Sequence, residues 1–422
     1  KGAYRGSKIF SIRKYFNKIL FEAENTRFFF DPANPLSNAA EANISKAVLA
    51  SLEIQAQDKE KKEYLINIDD LFLSESLHQI KPSPPPPNPA VKPGDRFSLG
   101  TLNKTKSHYQ SINNYPENTD VVVEYVYDNP TPNNYGSSGV TDARAVSIQL
   151  QHSLILVPNN DYSLRYDDPR VGYFTTNVTD MTSTSPTPYK DLVHRWNLKK
   201  KDPKAPLSDP VNPIVWWIEN TTPHEFRAAV AQGVLRWNAA FEAAGFSNAM
   251  VVKTQPDNAD WHAGDIRYNV LRWTSSPNPP FGGYGPSFVN PRTGQIIGAD
   301  IMLEWVYFTN RVKYDELFSM VDSPLLCSAG ELIQQGNVFA SAAIDIHAGT
   351  VEQKKELINE SLVRLTLHEV GHTLGLNHNF KSSRLHNLND IHDKKLTSKV
   401  GLTGSVMEYP SINVALDPEN QG

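Results

Sequence analysis

Fourteen residues, Leu367 to Phe380, constrain this chain more than any other stretch: Leu-His-Glu-Val-Gly-His-Thr-Leu-Gly-Leu-Asn-His-Asn-Phe. On a helix, His368 and His372 are rotated by only about 40° and separated by about 6 Å of rise, so both imidazoles can reach one cation. His378 comes six residues later. On a continuing helix it would sit about 9 Å further along and point elsewhere, so the helix has to stop first. Gly375 is the residue able to stop it, because a left-handed position after a helix costs glycine nothing. The turn then brings His378 back to complete a set of three histidine ligands. Glu369 follows the first histidine directly, which places its carboxylate beside the metal rather than on it, as a candidate general base.

The pattern His-Glu-x-x-His-x-x-Gly-x-x-His resembles the metzincin zinc metallopeptidases, whose companion feature is a methionine-containing turn downstream. Ser405-Val406-Met407-Glu408-Tyr409-Pro410 supplies it, with Met407 29 residues after His378. The segment Asp168-Pro169-Arg170-Val171-Gly172-Tyr173-Phe174 and the run His378-Asn379-Phe380-Lys381 extend the likeness to a group of large bacterial zinc-dependent metalloproteases with a poorly characterised β-rich N-terminal region. The resemblance implies one zinc ion per chain held by His368, His372 and His378, with Met407 as an apolar floor beneath them. It implies further that Tyr409, placed like the Met-turn tyrosine of astacin-like and serralysin-like members, reaches the metal site. Secretion or placement in the bacterial envelope is implied by the resemblance alone. The family continues into a further helix after its Met-turn, so with Gly422 only 15 residues past Met407 a longer parent protein is expected.

A chain of 422 residues is long for one core, and two domains are expected. A net charge of -5 gives no electrostatic case for nucleic acid. No apolar run approaches the roughly 18 residues that span a bilayer, so no transmembrane segment is expected. Cys327 is the single cysteine, which excludes an internal disulfide framework.

Residues 1–165 read as a β-rich accessory or pro-region. Lys8–Ile12, Lys18–Glu22 and Glu63–Ile68 alternate as strands do, and Thr119–Tyr127 with Arg144–Val157 form a hairpin around a long Pro, Asn and Gly-rich loop. Between them, residues 81–93 contain seven prolines and form an extended spacer. His78, His108 and His152 are isolated, each expected to be a satisfied or solvated histidine. Residues 166–213 are punctuated by prolines and read as a connector.

The catalytic half is expected over residues 214–422. Ile214–Ile218 is its first strand. Thr222 as N-cap, Pro223 at the first helical position and Glu225 as the capping-box partner then start a single helix of about six turns that Gly245 ends. Met250–Lys253, Asp265–Trp273 and Gln295–Leu303 are further strands, while Gly285–Val289, which contains Pro286, is an edge strand. Gly285, Ser287 and Val289 on that edge are candidates to take an extended substrate by strand addition. Residues 304–349 read as an insertion. Thr350 and Gln353 form a capping box that starts the histidine-bearing helix. The fold class expected is α+β: a β-rich N-terminal domain followed by a metzincin-like catalytic domain with a twisted mixed sheet, an antiparallel edge strand, two long helices and a Met-turn.

Together these readings point to a zinc-dependent endopeptidase acting on a protein or peptide substrate, with Glu369 and Tyr409 as catalytic residues. The alternative is a catalytically inactive, zinc-bound binding module of the same shape, against which the presence of Glu369 argues, because a scaffold needs the histidines but no base. His386, Asp390, His392 and Asp393 could form a second metal site, though loop solvation is the commoner use of such residues. Asp167 or Asp168 is the candidate for a latency ligand.

Overall fold

The computed structural model describes residues 6–40, 42–81, 97–137, 139–276, 282–305, 329–346 and 349–415. Cys327 and nearly all of the proline spacer lie outside them. Two compact units emerge, one of residues 6–159 with 178–189, the other of residues 160–177 with 190–422.

The first unit is β-rich. Strands β1 (Phe10–Tyr15), β2 (Lys18–Ala23), β3 (Phe28–Phe29), β4 (Ala47–Asp58) and β5 (Glu63–Ile66) precede a single helical turn, α1 (Asp69–Phe72). Strands β6 (Thr101–Leu102), β7 (His108–Asn114), β8 (Asn118–Asp128) and β9 (Ala145–Ile155) follow. One antiparallel sheet runs β1-β2-β4-β5, and a second is centred on β8, which pairs with β6, β7 and β9. The expected long-loop hairpin is the β8–β9 pair, in register from Asn118 opposite Ile155 to Asp128 opposite Ala145. Val121, Val123, Tyr125 and Tyr127 alternate inward from β8 and are buried with Leu71 and Phe72 of α1, which is what the period of two dictates for a strand with a core face. His152 is a satisfied core histidine: the Tyr125 hydroxyl donates to the Phe72 carbonyl (2.5 Å) and lies 2.8 Å from His152 Nε2, whose ring burial keeps neutral by pushing its pKa down to about 4. The short strands β10 (Thr175–Thr176) and β11 (Thr179–Asp180) come next; β11 belongs to this unit and runs parallel to β3.

The second unit holds the histidine motif. After β12 (Leu192–Val193) and β13 (Arg195–Trp196) come β14 (Ile214–Ile218), α2 (His224–Leu235), α3 (Trp237–Ala243), β15 (Met250–Thr254) and β16 (Asn269–Thr274). Then follow β17 (Gly283–Tyr284), β18 (Ser287–Val289), β19 (Gln295–Glu304), α4 (Ala329–Ile346), α5 (Val351–Thr373) and α6 (Lys394–Val400). The sheet order is β13-β19-β16-β14-β15 with parallel neighbours throughout, and β17 and β18 pair antiparallel with β19. Ile214, Trp216 and Ile218 of β14, Leu271 of β16, and Ile301 and Leu303 of β19 are buried in one core with Val230 and Val234 of α2 and Leu362 and Leu365 of α5. Parallel strands with helices in this unit and antiparallel sheets in the first fit the α+β class.

Three local expectations need correction. The helix expected to run unbroken to Gly245 is two helices, because the turn tightens at Arg236, where Ala239 donates to the Arg236 carbonyl (3.3 Å) and the chain re-aims Trp237. Its N-cap is Pro223 in extended geometry rather than Thr222, which is turned inward and 3% exposed and makes no capping bond. The edge strand is interrupted: Gly285 and Pro286 separate β17 from β18, since proline has no N–H to give the ladder. Within residues 304–349, α4 contributes Ala329 and Ile333 to the core and ties to α5 through Ser361 Oγ, which donates to Asn337 Oδ1 (2.6 Å).

Candidate metal centre

Helix α5 is started as its sequence dictates. Gln353 N–H donates to Thr350 Oγ1 (3.2 Å) and Thr350 N–H to Gln353 Oε1 (2.7 Å), the reciprocal capping box. Its apolar stripe, Leu362, Leu365 and Val370, is wholly buried, so the two histidines beyond it are carried on a rigid element. Two indoles grip the backbone at the same level: Trp237 Nε1 donates to the Leu367 carbonyl (2.9 Å) and Trp196 Nε1 to the Thr373 carbonyl (2.8 Å).

The helix stops in a Schellman turn. Gly375 has φ +93°, Leu376 N–H bonds the Gly371 carbonyl (3.0 Å) and Gly375 N–H the His372 carbonyl (2.9 Å). A second requirement for glycine comes from packing, because a Cβ at 375 would stand 2.1 Å from the His194 carbonyl oxygen. The stretch expected as a connector supplies that contact and more. Phe174 N–H donates to Gly375 O (2.7 Å), Asn377 N–H donates to Gly172 O (2.9 Å), and the Phe174 ring lies 5.6 Å from that of His372.

Thus turned, His368, His372 and His378 offer ring nitrogens that all lie within 4.8 Å of one another. His368 and His372 are almost fully buried, and their Nδ1 atoms sit 2.8 Å from the Val406 carbonyl and 2.9 Å from the Leu376 carbonyl. A carbonyl only accepts, so Nδ1 carries the hydrogen and Nε2 is the atom each ring can turn to a metal. Burial pushes the two rings down to pKa values of about 3 and about 4, and lowers that of His378 as well, so all three are neutral at physiological pH, the form a metal requires. Three neutral imidazoles in one cluster fit a zinc ion.

Met407 is 2% exposed and lies directly against the helix: a Cβ on Gly371 would be 2.3 Å from its Sδ. The turn is tied to the third ligand by Asn379 N–H, which donates to the Met407 carbonyl (2.9 Å). The Tyr409 hydroxyl is 2.6 Å from His378 Nε2, with ring centroids 4.6 Å apart, so the phenol stands at the histidine cluster. Glu369 is fully buried and outside the cluster of ligand atoms. Its carboxylate lies against the edge of the sheet, where a Cβ on Gly283 would be 2.7 Å from Oε1, and its carbonyl lies against Gly285 at a corresponding 2.6 Å. Ser287 and Val289 are in β18, opposite Ala299 and Ile296 of β19, with a register shift between Phe288 and Val289.

Sequence reading missed Glu408 and Arg364. Glu408 is buried and accepts from Ser382 Oγ, Ser383 N–H and Ser383 Oγ, each at 3.1 Å, fastening the Met-turn to the residues after His378. Arg364 Nη2 donates to the Pro410 carbonyl (2.9 Å), one helical turn before His368. The Ser-Ser pair was the available signal for the first; nothing local announces the second. Three of the four residues considered for a second metal site are occupied separately: His386 bonds the Gly401 carbonyl, Asp390 accepts from Asn387, and Asp393 caps α6, while His392 Nδ1 is buried without a hydrogen-bond partner. Among the described residues only the three histidines form a metal-type cluster. Asp168 pairs with Arg170 at 2.6 Å.

A family model described as Met-zincin matches residues 350–422, beginning at the N-cap of α5. A second, described as a domain of unknown function (DUF5117), matches residues 4–201. No curated protein and no solved structure matches the chain. The Met-zincin match and the histidine triad together fit a metzincin and suggest a zinc-binding, metallopeptidase-type function.

Proposed function

We propose that this chain is a zinc-dependent endopeptidase. The observation that carries the reading is the convergence of three neutral imidazoles, two from α5 and one from beyond its turn, with the Tyr409 phenol, while Glu369 of α5 faces the sheet edge. His368, His372 and His378 would hold one zinc ion. When bound, zinc supplies Lewis acidity toward a peptide carbonyl and a water molecule. Glu369 takes the proton that the attacking water gives up and delivers it to the departing amine. The Tyr409 hydroxyl, which stands 2.6 Å from His378 Nε2, would donate its hydrogen to the carbonyl oxygen as negative charge develops there. An extended substrate would add as a strand along β17 and β18, next to the Glu369 carboxylate; among the described residues no further strand pairs on their outer side. The likeness to large bacterial metalloproteases supports a secreted or envelope location for the parent protein.

Hydrolysis of an unfolded protein substrate, measured with zinc, with a chelator and after zinc is restored, tests this reading. Activity should disappear on chelation and return with zinc; activity indifferent to chelation would discard it. Tyr409→Phe is expected to keep zinc content and KM while kcat falls by roughly 10²-fold, the scale of one lost oxyanion donor. Wild-type kcat in that variant would make the hydroxyl structural.

A further inference from the structure

The turn that brings His378 back to the end of α5 is gripped by a stretch almost two hundred positions earlier in the chain. Residues 172–174 lie antiparallel to residues 375–377, with Tyr173 opposite Leu376. Two main-chain bonds close the pair, from Phe174 N–H to the Gly375 carbonyl (2.7 Å) and from Asn377 N–H to the Gly172 carbonyl (2.9 Å). The grip has its own anchor. His194, which follows β12, donates its N–H to the Phe174 carbonyl (2.9 Å), and β10 pairs with β12 just beyond.

Two of the three histidines are oriented through this clasp. Leu376, the residue facing Tyr173, accepts from His372 Nδ1 through its carbonyl (2.9 Å), so holding Leu376 holds both the tautomer and the rotation of that imidazole. The Phe174 ring packs on the same imidazole, with centroids 5.6 Å apart. Asn377, bonded to Gly172, directly precedes His378 and accepts the His378 N–H on its Oδ1 (2.9 Å). Gly172 itself lies against the third histidine, since a Cβ there would be 4.0 Å from the His378 carbonyl oxygen. With a metal at the three histidines as the premise, we infer that residues 172–174 are a positioning clasp for metal ligation: Phe174 sets His372, and the Gly172–Asn377 bond sets His378. The clasp lies within the match to the domain of unknown function and the turn within the Met-zincin match, so one metal centre is built from both regions.

Zinc affinity of the full chain, measured by competition with a chromophoric chelator, and the visible absorption of the cobalt-substituted protein test the clasp. Phe174→Ala removes the ring and should weaken zinc binding by about tenfold, the low end of what losing a partner that orients a metal ligand costs. Phe174→Pro also removes the N–H given to Gly375 and should weaken binding by up to about tenfold more. Phe174→Tyr keeps both ring and N–H and should stay within about threefold of wild type. The cobalt bands, which report the geometry of the ligands, should change in the alanine and proline variants and not in the tyrosine variant. Ile301→Val trims the core away from the clasp and should lower stability without moving zinc affinity or the cobalt bands. Wild-type zinc affinity and cobalt bands in folded Phe174→Ala would overturn the clasp, as would an equal loss of affinity in Ile301→Val. A wild-type chain that binds no zinc would remove the metal reading itself, and the clasp with it.

Discussion

Glu369→Gln should lower turnover by about 10²–10⁴-fold while zinc content and thermal unfolding stay close to wild type, since general acid–base assistance is typically of that size. Glutamine has the same shape and fills the same fully buried position, but it cannot accept a proton from water at neutral pH. Loss of zinc together with activity would instead make Glu369 a structural or ligating residue. A folded, zinc-loaded but slow variant is also the form in which an uncut peptide can be crystallised. The peptide should run antiparallel or parallel to β18 with main-chain hydrogen bonds to residues 283–289; a bound peptide making none there removes the edge-strand assignment.

Gly375→Ala is expected to cost on the order of 3 kcal/mol in folding free energy and to reduce zinc affinity as well. Two effects add: a left-handed conformation disfavoured for alanine by about 1–2 kcal/mol, and overlap of the new methyl with a backbone carbonyl 2.1 Å away, which can be relieved only by moving β13 or the helix end. Any such movement displaces His378, three residues on. Urea unfolding and metal analysis of the same sample would separate the two consequences, and near-wild-type values for both would show that the turn is more compliant than its contacts imply.

What could be read from the sequence was what short-range chemistry writes there. The capping box at Thr350 and the stop at Gly375 depend on neighbours within a few positions and form in the structure, and the spaced histidines lie together with the phenol two residues after Met407. The features that were not legible are held by distant residues. Trp196 reaches the Thr373 carbonyl across 177 positions and Trp237 reaches Leu367 across 130, so neither the role of the proline-punctuated stretch nor the break at Arg236 has a local signature. Likewise the close approach of the Gly285 backbone to the Glu369 carbonyl is invisible to strand periodicity.

The central claim is that one zinc ion is held by three imidazoles, two from α5 and one beyond its terminating turn. Metal analysis of purified wild type and His378→Ala, after equal exposure to zinc and removal of excess, tests it most directly. The account predicts one zinc per wild-type chain and strongly reduced zinc in the variant, because two ligands on one helix cannot complete the site. Full occupancy in His378→Ala would contradict it.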